Sequence, residues 1–281
     1  MSTARAKTVL ITGASSGIGK ATALHLAEKG YTVVGTSRSM ERLTDLRSQA
    51  KSSGLRVKPL ELDINDDQAT ADALNRILDE FGPLDALVNN AGYGLWGPVE
   101  DLTIQEVRDQ FETNFFAALR LIKLVVPGMV EMHRGTIVNI SSVEGRLATP
   151  FNGAYAASKF ALEGLSEALR TELWPFGIRV AVVQPGLFQT QFQQNQVVGE
   201  AADTEGGIYT PYLATYRSKH SRYERLATDP IAVAKVVHKV LRSRRPAFRH
   251  PVGLEARLGM IGARLIPERI FQFFLTRSTI R

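Results

Sequence analysis

A tyrosine and a lysine stand four positions apart, as Tyr155 and Lys159, in the stretch FNGAYAASKFALEGL at residues 151–165. At this spacing two side chains lie one turn apart on the same face of a helix. A phenol can donate or accept a proton, and a neighbouring ammonium favours its charged form. The pair could therefore catalyse proton transfer, although the same spacing also occurs on many helices without any active site.

The ammonium of Lys159 would act on the phenol across a short distance. At about 4 Å and an effective dielectric constant near 20, one unit charge stabilises the opposite charge by on the order of 4 kcal/mol. Free tyrosine has a pKa of about 10, and a change of one in pKa corresponds to roughly 1.4 kcal/mol. The sequence therefore predicts that Lys159 lowers the pKa of Tyr155 toward neutral pH.

A glycine-rich turn, TGASSGIG at residues 12–19, lies between the first apolar run and the first helical pattern. Glycine allows the backbone to approach a pyrophosphate closely, and free amides at the start of a helix bind it. The alternative is a turn that needs glycine only for packing. The cofactor contacts predicted here are Gly13, Ser15, Ser16, Gly17, Ile18 and Gly19.

Polar residues follow the next three apolar runs. Arg38 stands where a carboxylate would bind the ribose hydroxyls of NAD, and its guanidinium can pair with the extra phosphate of NADP. NADP is therefore favoured, the alternative being a solvated arginine before the next helix. Asp63, next to Ile64, can accept a hydrogen bond from an adenine or cap a helix. The small residues Asn90, Ala91 and Gly92 can border a cofactor or form a plain turn.

The elements that must position these residues alternate along the chain. Apolar runs typical of strands occupy residues 7–12, 31–37, 56–62, 84–89, 135–141 and 178–184, with a weaker seventh at 246–252. Segments with helical spacing separate them, such as the one carrying Leu162, Leu165, Leu169 and Leu173. Continuous apolar strands joined by helical crossovers predict an α/β fold with a doubly wound, Rossmann-type parallel sheet. Ligands of such a sheet bind at the carboxyl ends of its strands.

We expect one domain, residues 1–252, with a C-terminal helical extension at 253–281. Residues 187–228 break the alternation and are interpreted as a lid over the substrate. The predicted pocket wall consists of Leu147, Phe188, Phe192, Tyr209, Tyr212 and Tyr216. In the extension, Leu254, Leu258, Ile261 and Leu265 share a helical face, with Arg257 and Arg264 away from it, and Pro267 should end this helix.

Taken together, the motifs resemble those of the short-chain dehydrogenase/reductase family over roughly residues 7–250. The motifs are Thr12-Gly-x-x-x-Gly17-x-Gly19, Asn89-Asn-Ala-Gly92, Asn114, Ser142, Tyr155-x-x-x-Lys159 and Pro185-Gly186 with Thr190. The segment PFNGAYAASKFALEGLSEALRTEL is most similar to the hydroxysteroid and retinol dehydrogenase branch. The resemblance implies hydride transfer between NADP(H) and a lipophilic carbonyl or alcohol.

The resemblance also implies a role for each site residue. Tyr155 would be the general acid or base, and Lys159 would additionally bond the nicotinamide ribose. Ser142 would hold the substrate oxygen, with Ser141 as the competing candidate. Asn114 would hold a water linking Lys159 to solvent, the alternative being an amide that satisfies backbone groups inside a helix. The nicotinamide carboxamide would be positioned by Pro185, Gly186 and Thr190.

Composition excludes several other kinds of site. The chain has no cysteine, which excludes disulfides and thiolate chemistry and suits a cytoplasmic protein, and its five histidines lack metal-ligand spacing, so no metal is predicted. The rival functions are a catalytically silent NADP-binding sensor or scaffold, and an epimerase or dehydratase that shares the Tyr-x-x-x-Lys pair.

The positive charge is concentrated at the end of the chain. The net charge is +6, and from Arg242 onward nine arginines stand against Glu255 and Glu268. The extension could rest on an anionic membrane surface, or pack on the sheet edge, over the pocket or at a subunit contact. No apolar span appears long enough to cross a bilayer, and no nucleic-acid recognition module is present. The family resemblance implies a homodimer or homotetramer.

Overall fold

The structure is a computed structural model that describes residues 5–190, 192, 195–202, 207–224 and 227–279. The strands are β1 (Thr8–Ile11), β2 (Thr32–Ser37), β3 (Val57–Glu61), β4 (Ala86–Asn89), β5 (Leu95–Trp96), β6 (Gly135–Ile140), β7 (Ile178–Pro185), β8 (Val197–Val198) and β9 (Arg249–Val252). The helices are α1 (Gly17–Glu28), α2 (Thr44–Ser52), α3 (Asp67–Phe81), α4 (Ile104–Phe111), α5 (Ala117–Glu131), α6 (Gly153–Glu172), α7 (Thr210–Glu224), α8 (Ile231–Arg242), α9 (Leu254–Leu265) and α10 (Glu268–Thr279).

Seven strands form one parallel sheet in the order β3-β2-β1-β4-β6-β7-β9. Ile11 of β1 pairs with Gly35 on one side and with Val88 on the other, and Asn89 pairs with Asn139. The chain runs outward from β1 through β2 and β3, then returns to β4 on the opposite side of β1. Because such a reversal opens a crevice beyond the strand ends, the β1–β4 boundary is the place where a ligand should bind.

Both faces of the sheet are buried, and the residues of each strand alternate between them. Val9 of β1 faces one core together with Leu26 of α1 and Val237 of α8. Leu10 faces the other core together with Leu74 of α3 and Leu121 of α5. A strand buried on both sides must be apolar at every position, which is why continuous apolar runs predicted these strands. The predicted doubly wound fold is confirmed.

A single helical run extends from Ile104 to Glu131, through α4, a π-helical turn at Glu112–Phe116 and α5. An 18-residue window within it has a mean hydropathy of 1.4, so by length and composition alone the run is a candidate membrane span, contrary to the prediction that no span is long enough. The apolar character has a local cause, since Leu121, Ile122 and Val125 of α5 are buried in the core beneath the sheet.

The segment 187–228 follows β7, and its last residues return to the carboxyl end of that strand. Its two ends are joined because Thr228 N donates to Leu187 O at 3.1 Å and Gln189 N donates to Thr228 O at 2.9 Å. Within the segment, β8 pairs in parallel with β5, the short strand that follows β4. The segment is therefore tied at its base and again at β8, and it crosses the carboxyl edge of the sheet between these ties.

The extension forms α9 and α10, which end and begin on either side of Pro267 as predicted. The predicted apolar face of α9 points outward: Leu254 is 70% exposed, Leu258 60%, Ile261 54% and Leu265 74%. This face is therefore largely open, and it is the other side of α9, with Ala256 and Gly259, that lies over the pocket, one of the predicted placements of the extension. The opposite side of α9 packs inward through the fully buried Ala256, while the predicted side chain of Arg264 lies outside the described part of the structure.

Candidate active site

A cleft of about 1150 Å³ runs along the carboxyl edge of the sheet. Every predicted site residue except Asn114 lines it. Those predicted to bind the cofactor are Gly13, Ser15, Ser16, Gly17, Ile18, Gly19, Arg38, Asp63, Ile64, Asn90, Ala91, Gly92, Pro185, Gly186 and Thr190, and those predicted to be catalytic are Ser142, Tyr155 and Lys159. The fold thus brings together residues that are up to 177 positions apart in the sequence, from Gly13 to Thr190.

The glycine-rich turn is held rigidly against the end of β4. Thr12 Oγ1 accepts hydrogen bonds from the amides of Asn90 and Ala91, both at 3.0 Å, and Asn90 Nδ2 donates to Thr12 O at 2.9 Å. Gly13 has a φ of 65°, where side chains are disfavoured, and a Cβ on Gly19 would lie 2.1 Å from Gly13 O. Two of the glycines are therefore required by the turn itself.

The start of α1 offers backbone donors to the cleft. Its first backbone bond runs from Lys20 N to Ser16 O at 3.1 Å, so the amides of residues 17–19 are not used by the helix. Ser16, the N-cap residue, forms no capping hydrogen bond with its side chain. Free amides together with the positive end of a helix dipole fit the pyrophosphate of a dinucleotide.

Two arginines lie at the far end of the cofactor side. Arg38 directly follows β2, Arg42 lies four residues later, and both are exposed and line the cleft. Neither forms an ion pair or hydrogen bond with another residue in the described part of the chain.

Asp63 also lines the cleft, and its carboxylate accepts a hydrogen bond from Asn65 N at 3.1 Å, whereas the N-cap of α3 is Asp66. Asp63 is thus not a helix cap, and it faces the cleft.

Tyr155 and Lys159 lie one turn apart on α6 and are both buried. Lys159 Nζ is 5.7 Å from the centroid of the Tyr155 ring and donates to Ile140 O, at the end of β6, at 3.1 Å. The Tyr155 phenol is hydrogen-bonded to the side chain of Ser142. Ser141 Oγ, by contrast, is buried without a hydrogen-bond partner in the described structure. The geometry thus places Ser142, rather than Ser141, against the tyrosine.

The protonation of the pair differs from the prediction. Burial raises the pKa of Tyr155 above its ordinary value and the Glu144 carboxylate raises it further, while the hydrogen bond with Ser142 opposes both. Burial also lowers the pKa of Lys159 to about 8. The predicted lowering of the Tyr155 pKa by Lys159 was therefore wrong, because the lysine ammonium is itself buried and points at the Ile140 carbonyl.

Asn114 lies behind the cleft, within the π-helical turn Glu112–Phe116. Its Oδ1 accepts from Tyr93 N at 3.1 Å, and its Nδ2 donates to Tyr93 O at 3.0 Å and to Ser158 Oγ at 3.1 Å. A Cβ on Gly92 would meet both Asn114 Oδ1, at 2.9 Å, and Lys159 Nζ, at 3.5 Å. Asn114 therefore joins the strand-end loop to α6 close to Lys159, and its water-holding role remains a prediction.

The rest of the cleft is lined by apolar and aromatic side chains together with polar ones such as Thr149, Asn152 and Gln196. Of the predicted wall, Leu147, Phe188, Phe192 and Tyr216 line the cleft, and the Phe192 ring lies 5.6 Å from that of Tyr155. Tyr209 and Tyr212 do not line it: Tyr209 packs on Phe151 and bonds Glu100, and Tyr212 is exposed.

Several cleft residues were not predicted. Arg42 could have been found as a second cation one helical turn after Arg38. Glu144 could have been noticed as a carboxyl two residues after Ser142. The residues contributed by the extension had no sequence signal, since only the packing of α9 and α10 brings them to the cleft: Glu255, Ala256, Gly259 and Leu275.

Comparison with known proteins places these features in context. A sequence model described as short chain dehydrogenase matches residues 7–201. The chain is 39% identical over 245 residues to a 3-ketodihydrosphingosine reductase of Bacteroides thetaiotaomicron, covering 87% of each protein. It is also 39% identical over 255 residues to retinol dehydrogenase 8 of Bos taurus, covering 86% of this chain and 80% of that protein.

Solved structures share the fold and carry nicotinamide cofactors. A short-chain dehydrogenase/reductase from Burkholderia phymatum in complex with NAD superposes with a TM-score of 0.81 at 26% identity, covering 97% of each chain. A metagenomic short-chain oxidoreductase in complex with NADP gives a TM-score of 0.70 at 27% identity, covering 88% of this chain and 97% of that one. A nicotinamide dinucleotide is thus the cofactor that the fold and the residues of the cleft fit.

Proposed function

The chain belongs to the short-chain dehydrogenase family, and from this membership we propose that it is an NADP(H)-dependent enzyme that reduces a lipophilic ketone or aldehyde, or oxidises the matching alcohol. The single observation that carries the proposal is the convergence of Ser142, Tyr155 and Lys159 in the cleft that also contains the glycine-rich turn. Family membership alone supports an oxidoreductase acting on CH–OH groups.

The residues of the cleft divide the chemistry between them. When bound, the reduced cofactor supplies a hydride for the carbonyl carbon of the substrate. The hydroxyls of Ser142 and Tyr155 hold the carbonyl oxygen, and Tyr155 gives its proton to that oxygen as the C=O bond becomes a single bond. Lys159, which bonds Ile140 O rather than the phenol, would hold the nicotinamide ribose in this cleft. Oxidation of the alcohol reverses each of these transfers.

The protonation of Tyr155 favours reduction. Because burial raises its pKa, the phenol keeps its proton at neutral pH, which is the form that a general acid requires. An alkoxide is a stronger base than a phenolate, so proton transfer to the product oxygen runs downhill. Oxidation would first require Tyr155 to lose its proton, which the buried site opposes.

The two arginines favour NADP over NAD. Arg38 and Arg42 present two cations at the end of β2, where NAD would require an acceptor for its ribose hydroxyls. A phosphate pairs well with guanidinium groups that have no other partner. The preference for NADP rests on the arginines alone, because the related structures hold NADP in some cases and NAD in another.

The substrate class follows from the wall of the cleft. Leu147, Phe188, Phe192 and Ala256 offer apolar surface in the cleft, and the Phe192 ring lies against that of Tyr155, which suits a steroid-like, retinoid or long-chain lipid carbonyl. The names of the two relatives, a 3-ketodihydrosphingosine reductase and a retinol dehydrogenase, support a lipophilic substrate.

The test is an absorbance assay of lipophilic ketones, aldehydes and alcohols with NADPH and NADH side by side. We expect turnover of at least one long-chain or polycyclic carbonyl with NADPH, and a Tyr155→Phe variant that binds NADPH normally with kcat lower by about 10²- to 10⁴-fold. Undiminished turnover by this variant would remove Tyr155 from its role. Tight NADPH binding without turnover of any substrate would instead favour a sensor or scaffold.

We further propose that the exposed face of α9 and α10 rests on an anionic membrane surface. Apolar residues exposed there include Leu258, Leu265 and Phe273, and the exposed Arg257 and Arg269 stand among them in the chain. Apolar side chains interspersed with arginine are suited to the boundary between headgroups and acyl chains. The predicted homodimer or homotetramer, the cytoplasmic location and the absence of nucleic-acid binding remain predictions.

A further inference from the structure

Residues 186–190, which we call the β7 loop, run along the cleft from the end of β7 to the glycine-rich turn. The loop begins at Gly186, directly after β7, and ends at Thr190, which lies against the turn: a Cβ on Gly17 would be 3.0 Å from Thr190 Cβ. Four of its residues line the cleft: Gly186, Leu187, Phe188 and Thr190. The β7 loop therefore connects the carboxyl edge of the sheet with the turn that fits a pyrophosphate, so it borders the space where the nicotinamide half of a dinucleotide would lie.

Three backbone amides of the β7 loop are hydrogen-bonded, each to a different part of the chain. Gly186 N donates to the carbonyl of the last residue of β9 at 2.9 Å, and Gln189 N donates to Thr228 O at 2.9 Å. Leu187 N donates instead to Glu255 Oε1, a side-chain oxygen on α9, at 2.9 Å. Of these three bonds, the one at Leu187 thus depends on a side chain and can be removed by a single substitution.

The carboxylate of Glu255 packs directly on the β7 loop. A Cβ on Gly186 would collide with Glu255 Oε1 and would lie 3.2 Å from Ala256 Cβ, so the glycine leaves free the space that the carboxylate occupies. Glu255 lies in the first turn of α9, where the free amides of the helix itself would also stabilise a carboxylate. Its hydrogen bond goes to Leu187 N across the cleft edge instead, which ties the C-terminal extension to the β7 loop.

A loop that holds a ligand binds it more tightly when the loop is already ordered. Without the bond at Leu187, the entropy lost on ordering the β7 loop would oppose cofactor binding. A bond to an ionised acceptor is suited to this task, because it is roughly twice as strong as one between neutral groups. We propose, resting on the oxidoreductase function above, that Glu255 is a positioning residue that orders the β7 loop for the nicotinamide half of the cofactor. The C-terminal extension is then a functional part of the cofactor site.

The experiment compares two ligands that differ in the nicotinamide half: NADP⁺, and adenosine 2′,5′-bisphosphate, which lacks the nicotinamide nucleoside. Their dissociation constants are measured by calorimetry, so no turnover is needed. Glu255→Ala should raise Kd for NADP⁺ about tenfold, because binding must now order the loop, and should leave Kd for the bisphosphate unchanged. Glu255→Gln keeps an oxygen acceptor for Leu187 N, so its Kd for NADP⁺ should stay within about threefold of wild type.

Glu268→Ala is the matched control. Glu268 lies in the first turn of α10, is exposed and is not among the residues that line the cleft. Its substitution removes the same charge from the extension and should leave both dissociation constants unchanged.

A second measurement uses the cofactor-free protein. Hydrogen exchange at the Leu187 amide reports whether its bond protects it, because an amide exchanges when its hydrogen bond opens. Exchange should be about tenfold faster in Glu255→Ala than in wild type. Glu268→Ala should exchange like wild type at this amide.

The outcomes separate this inference from the function on which it rests. If Glu255→Ala weakens both ligands equally or neither of them, or leaves exchange at Leu187 unchanged, the inference is overturned, while NADP⁺ binding by wild type still supports the proposed function. If Glu255→Gln binds NADP⁺ as weakly as Glu255→Ala, the charge rather than the bond to Leu187 acts, and the inference is again overturned. If wild type binds neither ligand, the proposed function fails and the inference fails with it.

Discussion

Charged side chains are usually exposed and apolar side chains usually buried, and Lys159 and Leu265 each depart from this pattern. The lysine, a charged side chain, is 4% exposed beside Tyr155, whereas the leucine, an apolar side chain, is 74% exposed on α9. Each placement costs free energy in the isolated chain. We refer to Ser142, Tyr155 and Lys159 as the catalytic edge, and to Glu255, Ala256, Gly259 and Leu275 as the C-terminal wall.

The two regions have different kinds of support. The catalytic edge is anchored in the core, since Lys159 Nζ bonds the end of β6 and Ser142 bonds Tyr155. The C-terminal wall joins the same cleft from helices whose outer faces are open. The C-terminal wall contacts the end of the sheet through Glu255, whose carboxylate accepts a hydrogen bond from Leu187 N at 2.9 Å. We infer from this difference that the catalytic edge carries out the reaction, whereas the C-terminal wall controls which substrates enter the cleft.

The largest effect is expected from Lys159→Met, which removes the buried charge. Its kcat should fall by on the order of 10²- to 10³-fold, because the group that would position the nicotinamide ribose beside Tyr155 is lost. The cofactor-free variant should nevertheless be more stable than wild type at pH 7. The gain should be roughly 2 kcal/mol, the desolvation cost of the ammonium less one lost hydrogen bond.

The pH dependence of this gain identifies its cause. The pKa of Lys159 is about 8 in the folded protein, against 10.5 for a free lysine. Below pH 8 the lysine is charged in the folded and the unfolded protein, so the full cost of burying its charge is present. Between pH 8 and pH 10.5 the unfolded chain binds more protons than the folded protein, so the stability of wild type rises with pH. Urea unfolding from pH 7 to pH 10 should therefore show the advantage of the variant shrinking. If the difference in free energy of unfolding between the variant and wild type stays constant with pH, packing rather than charge is its cause.

The next largest effect concerns the cofactor end of the same cleft. Arg38→Glu should raise KM for NADPH about 10- to 100-fold, since it replaces a charge-assisted hydrogen bond to a phosphate with repulsion. KM for NADH should change far less. Arg47→Glu alters the charge equally on an exposed position outside the cleft and should leave both values unchanged. A wild-type preference for NADH would refute the role of Arg38.

The features that these two variants test were predictable because their signals are local. A strand buried on both faces must be apolar throughout, so the central strands could be predicted from continuous apolar runs. The weaker run at 246–252 forms the edge strand β9, whose first three residues are only partly buried. Arg38 follows a strand, and Tyr155 and Lys159 share one helical turn, so short-range geometry places them at the cleft. No long-range packing had to be known.

The remaining features depend on segments that are distant in sequence. The pKa of Tyr155 is set by how completely its surroundings exclude water and by Glu144, and neither can be judged from the Tyr-x-x-x-Lys spacing. The periodicity of α9 predicted an apolar face but not its direction, because an amphipathic pattern is the same whether the face meets a sheet, a lipid or solvent. The structure turns the small residues Ala256 and Gly259 to the cleft instead.

Gly259→Leu tests the C-terminal wall directly. A Cβ on Gly259 would lie 3.4 Å from Leu147 Cδ1, so a larger side chain should project into the substrate side of the cleft. KM for a long-chain ketone should rise about tenfold, the cost of overfilling a packed site, while KM for NADPH stays constant. Ala263→Leu, on the exposed side of the same helix, is the matched control. An unchanged KM for the ketone would mean that α9 does not line the substrate site.

The smallest effect should come from Leu265→Ser, which changes an exposed side chain and leaves the cleft alone. Because Leu265 is 74% exposed, the stability of the protein should hardly change. Its partition onto vesicles that contain an anionic phospholipid should nevertheless weaken by about 3- to 10-fold, since one leucine fewer enters the lipid. Ile104→Ser removes an exposed apolar residue on α4 and should bind vesicles like wild type. If wild-type protein does not bind vesicles and Leu265→Ser instead changes the elution volume of an oligomer, this face is a subunit contact.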